Sequence, residues 1–386
     1  MKHFPKKIQV NIQERKANNA LRQLRVQSDL IDFSSNDYLG FSKSEIIFNN
    51  AHQFLIDHNI KQNGATGSRL LSGNHQLYNV VESQLSEFHQ SESALIFNSG
   101  YDANIGFFSS VPQRGDIIFY DEFIHASIRD GILMSHAKAY KFKHNDLDVL
   151  EKLLLRHAEL ISESQHNIYV VTESVFSMDG DSPDLILLSK LCKKYQAYFI
   201  VDEAHAVGVF GEKGAGLIQH FKLENDVFAR IITFGKALGC HGAAILGSEI
   251  LKQFLVNFSR SLIYTTALPP HSLATIQSAY QELTKTKSSK KLDENITCFK
   301  SDMIANNLYH LFIESQSAVH CCIISGNENV KSIAKNIQEK GFDVKPILSP
   351  TVPKGQERLR FCLHAFNNEQ EISEVLKLLT TFVKHE

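Results

Sequence analysis

Apolar residues fall along this chain in short runs separated by longer amphipathic stretches, and that alternation predicts an α/β fold. Runs rich in β-branched and aromatic residues read as buried strands over 94–97, 117–120, 168–172, 197–201 and 228–234, with a returning strand over 241–246. Between them, apolar positions recur at helical spacing. Leu77, Val80, Val81, Leu85 and Phe88 share one face of a helix expected over 74–90, and further helices are expected over 185–195 and 249–258. Strands that alternate with helices in this way build a mostly parallel central sheet flanked by helices. A long helix starts near Pro270 and crosses a boundary at 275–290, where the basic run 284–291 reads as a solvated turn. Beyond it, strands over 319–324 and 358–363 alternate with helices over 330–340 and 369–382. Residues 1–30 read as a basic amphipathic helix with Ile8, Ile12, Ala20, Leu21 and Leu24 to one side. The expected division is an N-terminal arm over 1–45, a large domain over 46–280 and a smaller C-terminal α/β domain over 281–386.

In an open α/β sheet, ligands bind beyond the carboxyl ends of the strands. The strand at 197–201 runs into Asp202, Glu203 and His205, and the strand at 228–234 runs into Gly235 and Lys236. An acid and a lysine at two such ends can face one ligand. Pyridoxal phosphate needs that pair, since its pyridinium nitrogen takes a carboxylate and its aldehyde takes an amine. The competing reading of Val201-Asp-Glu-Ala-His205 is a metal and nucleotide box, which requires Gly-x-x-x-x-Gly-Lys-Ser/Thr elsewhere. Here Gly235-Lys236 is followed by Ala237, and Arg230 stands where that loop's first glycine belongs. The nucleotide-motor reading fails. The strand at 94–97 breaks at Ser99-Gly100-Tyr101 into a helix N-terminus, whose free N–H groups and dipole suit a phosphate. Asn63-Gly-Ala-Thr-Gly-Ser-Arg69 is a weaker cradle of the same kind. His125, Glu173, Ser177 and Asp179 follow other strand ends. Taken alone, such a histidine is more often structural than catalytic, and such acids more often cap loops.

Seven ordered blocks carry a resemblance. They are Asp32-Phe-Ser-Ser-Asn-Asp-Tyr-Leu-Gly40, Gly67-Ser-Arg-Leu-Leu-Ser-Gly73, Thr172-Glu-Ser-Val-Phe-Ser-Met-Asp-Gly180, Val201-Asp-Glu-Ala-His205, Thr233-Phe-Gly-Lys236, Ile263-Tyr-Thr-Thr266 and Pro350-Thr-Val-Pro353. With them the chain resembles, over nearly its whole length, the α-oxoamine synthases, pyridoxal-phosphate enzymes of the fold-type I aminotransferase group. The resemblance implies catalytic roles for Lys236, His125 and Asp202, with His125 stacked on the cofactor ring and Asp202 at its nitrogen. It puts His205 on the ring's phenolic oxygen, Glu173 and Ser177 beside the cofactor, and Gly100, Tyr101 and Thr233 at the phosphate. Thr265 and Thr266 would reach the phosphate of a neighbouring subunit, which implies a homodimer with shared sites. Arg360 would hold the amino acid's carboxylate, Arg22 the far carboxylate of the acyl chain, and Asn36, His125 and Thr351 would also meet substrate. The implied reaction is a decarboxylative condensation of L-alanine with a pimeloyl thioester, carried on CoA or acyl-carrier protein, in biotin biosynthesis. A sibling reading uses glycine and a short acyl-CoA; a third is a binding protein that kept the fold without the chemistry. No metal is implied.

Bulk properties narrow the rest. The 386 residues are 43% hydrophobic and 21% charged, which suits a soluble globular protein of two or more domains. A formal charge of −2 gives no electrostatic case for a nucleic-acid partner. The six cysteines form no Cys-x-x-Cys pair, which fits a reducing, cytoplasmic setting without a disulfide framework or zinc site. No signal peptide is expected from Met1-Lys-His-Phe-Pro-Lys-Lys7, and no run approaches the ~18 apolar residues of a membrane span.

Overall fold

The computed structural model describes residues 4–22, 24, 29–161 and 166–383. It divides into two units: Asn36–Ser177 with Asp181–Lys290, and Met1–Ser35 with Met178–Gly180 and Lys291–Glu386. Residues 1–35 thus count with the C-terminal part, and the later boundary falls at 290/291.

The first unit is built on seven strands: β1 Ser93–Phe97, β2 Ile117–Asp121, β3 Lys138–Phe142, β4 Ile168–Glu173, β5 Tyr198–Asp202, β6 Ala229–Thr233 and β7 Ala243–Gly247. Their order across the sheet is β1-β7-β6-β5-β4-β2-β3. Neighbours from β6 through β3 are parallel, while β7 runs antiparallel to both β6 and β1. The mostly parallel sheet expected from the alternation is therefore present. Side chains leave the sheet alternately. Tyr169, Val171, Ile200, Ile231 and Ile245 join one apolar core, and Ile168, Val170, Phe199 and Val201 join another. Helices Gly100–Ser110, Ala126–Met134 and Glu249–Phe258 supply Phe107, Ile128 and Leu255 to the first core. Helices Leu147–Ile161 and Leu185–Lys194 supply Leu150, Leu154 and Leu188 to the second. A sheet covered on both faces explains why β4, Ile-Tyr-Val-Val-Thr-Glu, is buried at every position.

The edge is treated differently. Four residues of β3, Lys138-Ala-Tyr-Lys, are exposed and only Phe142 is buried. Lysines on an edge strand oppose pairing with another chain. They also hide the strand from an apolar-run search, and this element was not expected. The helix from Pro270 ends at Leu283, and a new one, Ser288–Ala305, begins inside the basic run that read as a turn. Only 284–287 serves as the connection.

In the second unit, β8 Val319–Ile323, β9 Lys345–Ile347 and β10 Arg358–Cys362 form an antiparallel sheet in the order β9-β10-β8. Ile31–Asp32 pairs in parallel with Phe342–Asp343, and Phe33 accepts from Cys362 N at 2.8 Å. The expected helix over 1–30 is shorter, Lys6–Ala17, with no buried residue. Residues 1–3, 23 and 25–28 of that expectation lie outside the described ones. Among the described residues no helix is long and apolar enough to cross a membrane, and the six cysteines are thiols outside any disulfide.

Candidate active site

Strand register sets the site. Glu173 at the end of β4 stands beside Asp202 at the end of β5, and Asp202 stands beside Ile231 of β6, two residues before Thr233. Lys236 follows on the turn after β6. The carboxyl ends of three adjacent strands thus carry two acids, a hydroxyl and an amine.

Asp202 is 6% exposed. Its Oδ1 accepts from Ala204 N at 2.9 Å and its Oδ2 from Asn104 Nδ2 at 2.9 Å. A carboxylate has about four lone-pair positions, so capacity remains for a further N–H donor. Asn104 donates its second amide hydrogen to Ser127 Oγ at 3.0 Å, and Ser127 Oγ lies 2.7 Å from His125 Nδ1. The Ser127 backbone N–H also points at His125 Nδ1, at 3.2 Å, so Nδ1 is an acceptor and a neutral ring carries its proton on Nε2. Burial pushes the His125 pKa down; the Asp202 carboxylate opposes this and the Lys236 charge adds to it. A neutral imidazole presenting Nε2–H results.

Lys236 Nζ is 2.6 Å from His205 Nε2, His205 Nδ1 is 2.6 Å from Tyr38 O–H, and Tyr38 O–H donates to Asn36 Oδ1 at 3.1 Å. Donors and acceptors alternate from the amine to the amide, which orients the lysine head.

Glu173 accepts from His125 N at 2.5 Å. Burial, then the Asp202 charge, push its carboxyl up to about 8, against the opposing pull of Lys236. At neutral pH it holds a proton. A carboxyl whose folded pKa is raised stabilises the fold below its ordinary value of 4.5, and that contribution is lost as pH rises through about 8. Glu173→Gln, permanently neutral, should gain on the wild type by at most about 1.4 kcal/mol per pH unit across that window. Urea midpoints of the cofactor-free proteins at pH 5, 7 and 9 measure it; a constant difference would contradict a proton on Glu173.

The phosphate candidate is the N-terminus of the helix Gly100–Ser110, capped by Ser99, whose Oγ accepts from Asp102 N at 3.1 Å. A Cβ built on Gly100 would lie 3.7 Å from Thr233 Oγ1, so the hydroxyl and the free N–H groups adjoin. Asn98, just before the cap, donates to Thr265 Oγ1 at 3.0 Å and Thr266 O at 2.6 Å. Gly100 thus adjoins Thr233, and Asn98, just past the end of β1, ties in Thr265 and Thr266. Tyr101 is 48% exposed and its O–H donates to Asp130 at 2.6 Å. Ser177 is half-buried, past the end of β4.

The substrate candidates other than Asn36 and His125 lie in the second unit. Arg22 reaches Thr351 Oγ1 at 3.5 Å, so the two residues assigned to substrate meet each other. Arg360 is buried on β10 opposite Cys321 of β8. Arg358, two positions earlier, is also buried, and Asp179 pairs with it. Asp179, which read as a loop cap, instead neutralises that arginine. Tyr38, Asn104 and Ser127 were not singled out from the sequence, though Tyr38 lies inside a quoted block and Asn104 one helical turn from Gly100.

These residues fit pyridoxal phosphate: a buried carboxylate with spare acceptor capacity, an oriented amine, and a helix N-terminus with an adjoining hydroxyl. Residues 28–379 match the family described as aminotransferase class I and II. The chain is 40% identical to the 8-amino-7-oxononanoate synthase of Emericella nidulans, over 92% of this chain and 90% of that one. A serine palmitoyltransferase from S. paucimobilis, solved with PLP and myriocin bound, superposes with a TM-score of 0.87 at 25% identity over 98% of this chain and 97% of that one. An 8-amino-7-oxononanoate synthase from Francisella tularensis superposes with a TM-score of 0.76 at 28% identity over 93% and 99%.

Proposed function

The chain belongs to the class I and II aminotransferases, and from that membership we propose that it is a pyridoxal-phosphate-dependent acyltransferase making 8-amino-7-oxononanoate. L-alanine condenses with a pimeloyl thioester, on CoA or acyl-carrier protein; a C–C bond forms at the alanine Cα, the C–S bond breaks, and CO₂ and free thiol leave. The observation that supports this most is the pairing of buried Asp202 with the oriented Lys236 amine at adjacent strand ends, in a chain 40% identical to a synthase of that name.

Pyridoxal phosphate supplies an aldehyde for the amino group and a protonated ring that draws electrons from the alanine Cα. Asp202 would face the cofactor's ring nitrogen and hold its proton there. Lys236 Nζ takes the Cα proton and, through His205, Tyr38 and Asn36, is held in one orientation while it does so. His125 offers Nε2–H as a donor, fixed by Ser127 on Nδ1. Glu173 anchors the His125 backbone, and Ser177, four residues further along the loop, is assigned to the cofactor. Gly100, Tyr101 and Thr233 serve the phosphate, and Thr265 and Thr266 serve a partner's phosphate in a homodimer. Arg360 is assigned the alanine carboxylate and Arg22 with Thr351 the far carboxylate, where a guanidinium makes a two-pronged match.

Thiol release with alanine, glycine and serine, each against pimeloyl-CoA and pimeloyl-acyl-carrier protein, tests the reading. Alanine with a pimeloyl thioester should lead by ten-fold or more, roughly the discrimination that one methyl in a fitted pocket confers. A preference for glycine and acetyl-CoA would replace this reading with the glycine C-acetyltransferase one.

A further inference from the structure

One half-buried cluster has no part in the roles above. His144, on the loop after β3, lies between two carboxylates, with Nδ1 2.9 Å from Asp121 Oδ1 and Nε2 2.8 Å from Asp181 Oδ2. Each ring nitrogen faces a carboxylate oxygen; Asn145 Nδ2 also lies 3.2 Å from Nε2, but the two acids hold the ring as an imidazolium. Burial alone would lower its pKa; hydrogen bonds to Asp121 and Asp181, and their charges, outweigh that and push it up to about 9. Phe123 stacks on the ring at 4.4 Å, and Phe176 meets it edge-on at 4.5 Å.

The neighbouring residue widens the joint. Asn145 N donates to Asp121 Oδ2 at 2.9 Å, and its Nδ2 donates to Asp181 Oδ2 at 2.7 Å. Asp121 Oδ1 also accepts from Phe123 N at 2.8 Å, and the backbone carbonyl of Asp181 accepts from Phe176 N at 2.9 Å, so each acid sits in a loop closed by its own hydrogen bond. The loops that follow β2, β3 and β4 therefore converge on one charged ring. Two of them carry the site: His125 follows Asp121, and Glu173 and Ser177 precede Asp181. The 2.5 Å bond from His125 N to Glu173 spans the same two loops. Without the cation, two carboxylates would face each other across the gap and repel.

We propose that His144 is a positioning residue for the cofactor site, a cationic brace that ties the His125 loop to the Glu173 and Ser177 loop. This rests on the reading of that site as the pyridoxal-phosphate site. His144 itself contacts the two acids and acts through the loops they belong to.

The test uses the full chain and pyridoxal phosphate, with His144→Gln, Asp181→Asn and the double variant. Glutamine keeps one hydrogen bond and loses the charge; Asp181→Asn keeps the shape and serves if His144→Gln does not fold, as judged by far-ultraviolet circular dichroism. The readouts are the cofactor's dissociation constant and the circular dichroism of its visible band, with KM and kcat alongside. Either single change should weaken cofactor binding about ten-fold, the scale of a lost hydrogen bond to a charged group, and diminish the visible dichroism. The double variant should be little worse than one single, because both remove the same joint. Variants that lose thermal stability yet keep the wild-type dissociation constant and dichroism would overturn the proposal, as would fully additive losses. A wild-type chain that takes up no pyridoxal phosphate would instead sink the cofactor reading, and this inference with it.

Discussion

Lys236→Ala should remove the visible band near ~420 nm that pyridoxal phosphate acquires on such a lysine, together with all measurable turnover. The reason is positional. Lys236 Nζ is held 2.6 Å from His205 Nε2, within electrostatic reach of both Glu173 and His125, at the end of the strand next to that of Asp202. Alanine there leaves no group to carry the Cα proton, and loss of such a base alone costs roughly 10²–10⁴-fold; loss of the covalent anchor adds to it. The cofactor-free variant should melt close to the wild type, because the lysine is only half-buried and the histidine chain behind it stays paired through Tyr38. Borohydride reduction should trap cofactor on the wild type alone. A variant that remains yellow and trappable would place the reactive amine elsewhere.

Arg230→Met should cost about 3–5 kcal/mol of stability, the usual penalty for orphaning a buried charge. Arg230 is 2% exposed on β6 and its guanidinium holds Glu203 Oε2 at 2.6 Å and 2.9 Å. It also donates to His89 O at 2.9 Å and Ala215 O at 3.1 Å. The other oxygen of Glu203 accepts from Leu217 N at 2.7 Å and Ile218 N at 3.0 Å. Glu203 is fully buried next to Asp202, so this pair fastens the acid's strand to the lysine's strand from within. Methionine would leave Glu203 charged without its cation. Adding Glu203→Gln should recover part of the loss, since a glutamine oxygen can still accept from Leu217 or Ile218. Urea unfolding of both variants gives the answer; an Arg230→Met protein within 1 kcal/mol of the wild type would show that the pair contributes little. Gly216 belongs to the same joint. Its φ is +103°, and a Cβ there would sit 2.7 Å from the Glu203 carboxylate.

The two strand ends bearing Asp202 and Lys236 were legible because their strands are largely buried and read as apolar runs, interrupted in the second by Arg230. The helix N-terminus at Gly100 was legible because glycine directly after a strand is a strong local signal. What escaped was encoded by neighbours in space. Asn104 and Ser127 are ordinary polar helix residues until the fold sets them between Asp202 and His125. Tyr38 becomes a partner of His205 only across 167 residues of chain. The edge strand Lys138–Phe142 carries too much charge to look like a strand, and a second helix start at Ser288 was masked by the lysines around it. The resemblance supplied roles for Arg22 and Arg360 that no pattern of apolar residues could have suggested.

The strand that ends at the Gly100 turn is made early by the ribosome but finds its hydrogen-bonding neighbour late. Ala94 of β1 pairs with Leu246 of β7, and among the described residues β1 lies at the sheet's margin. Closing so long a loop is slow and entropically costly. A nascent chain of fewer than about 250 residues therefore holds the Gly100 turn without its strand partner, so the place proposed for the cofactor's phosphate is completed late in synthesis.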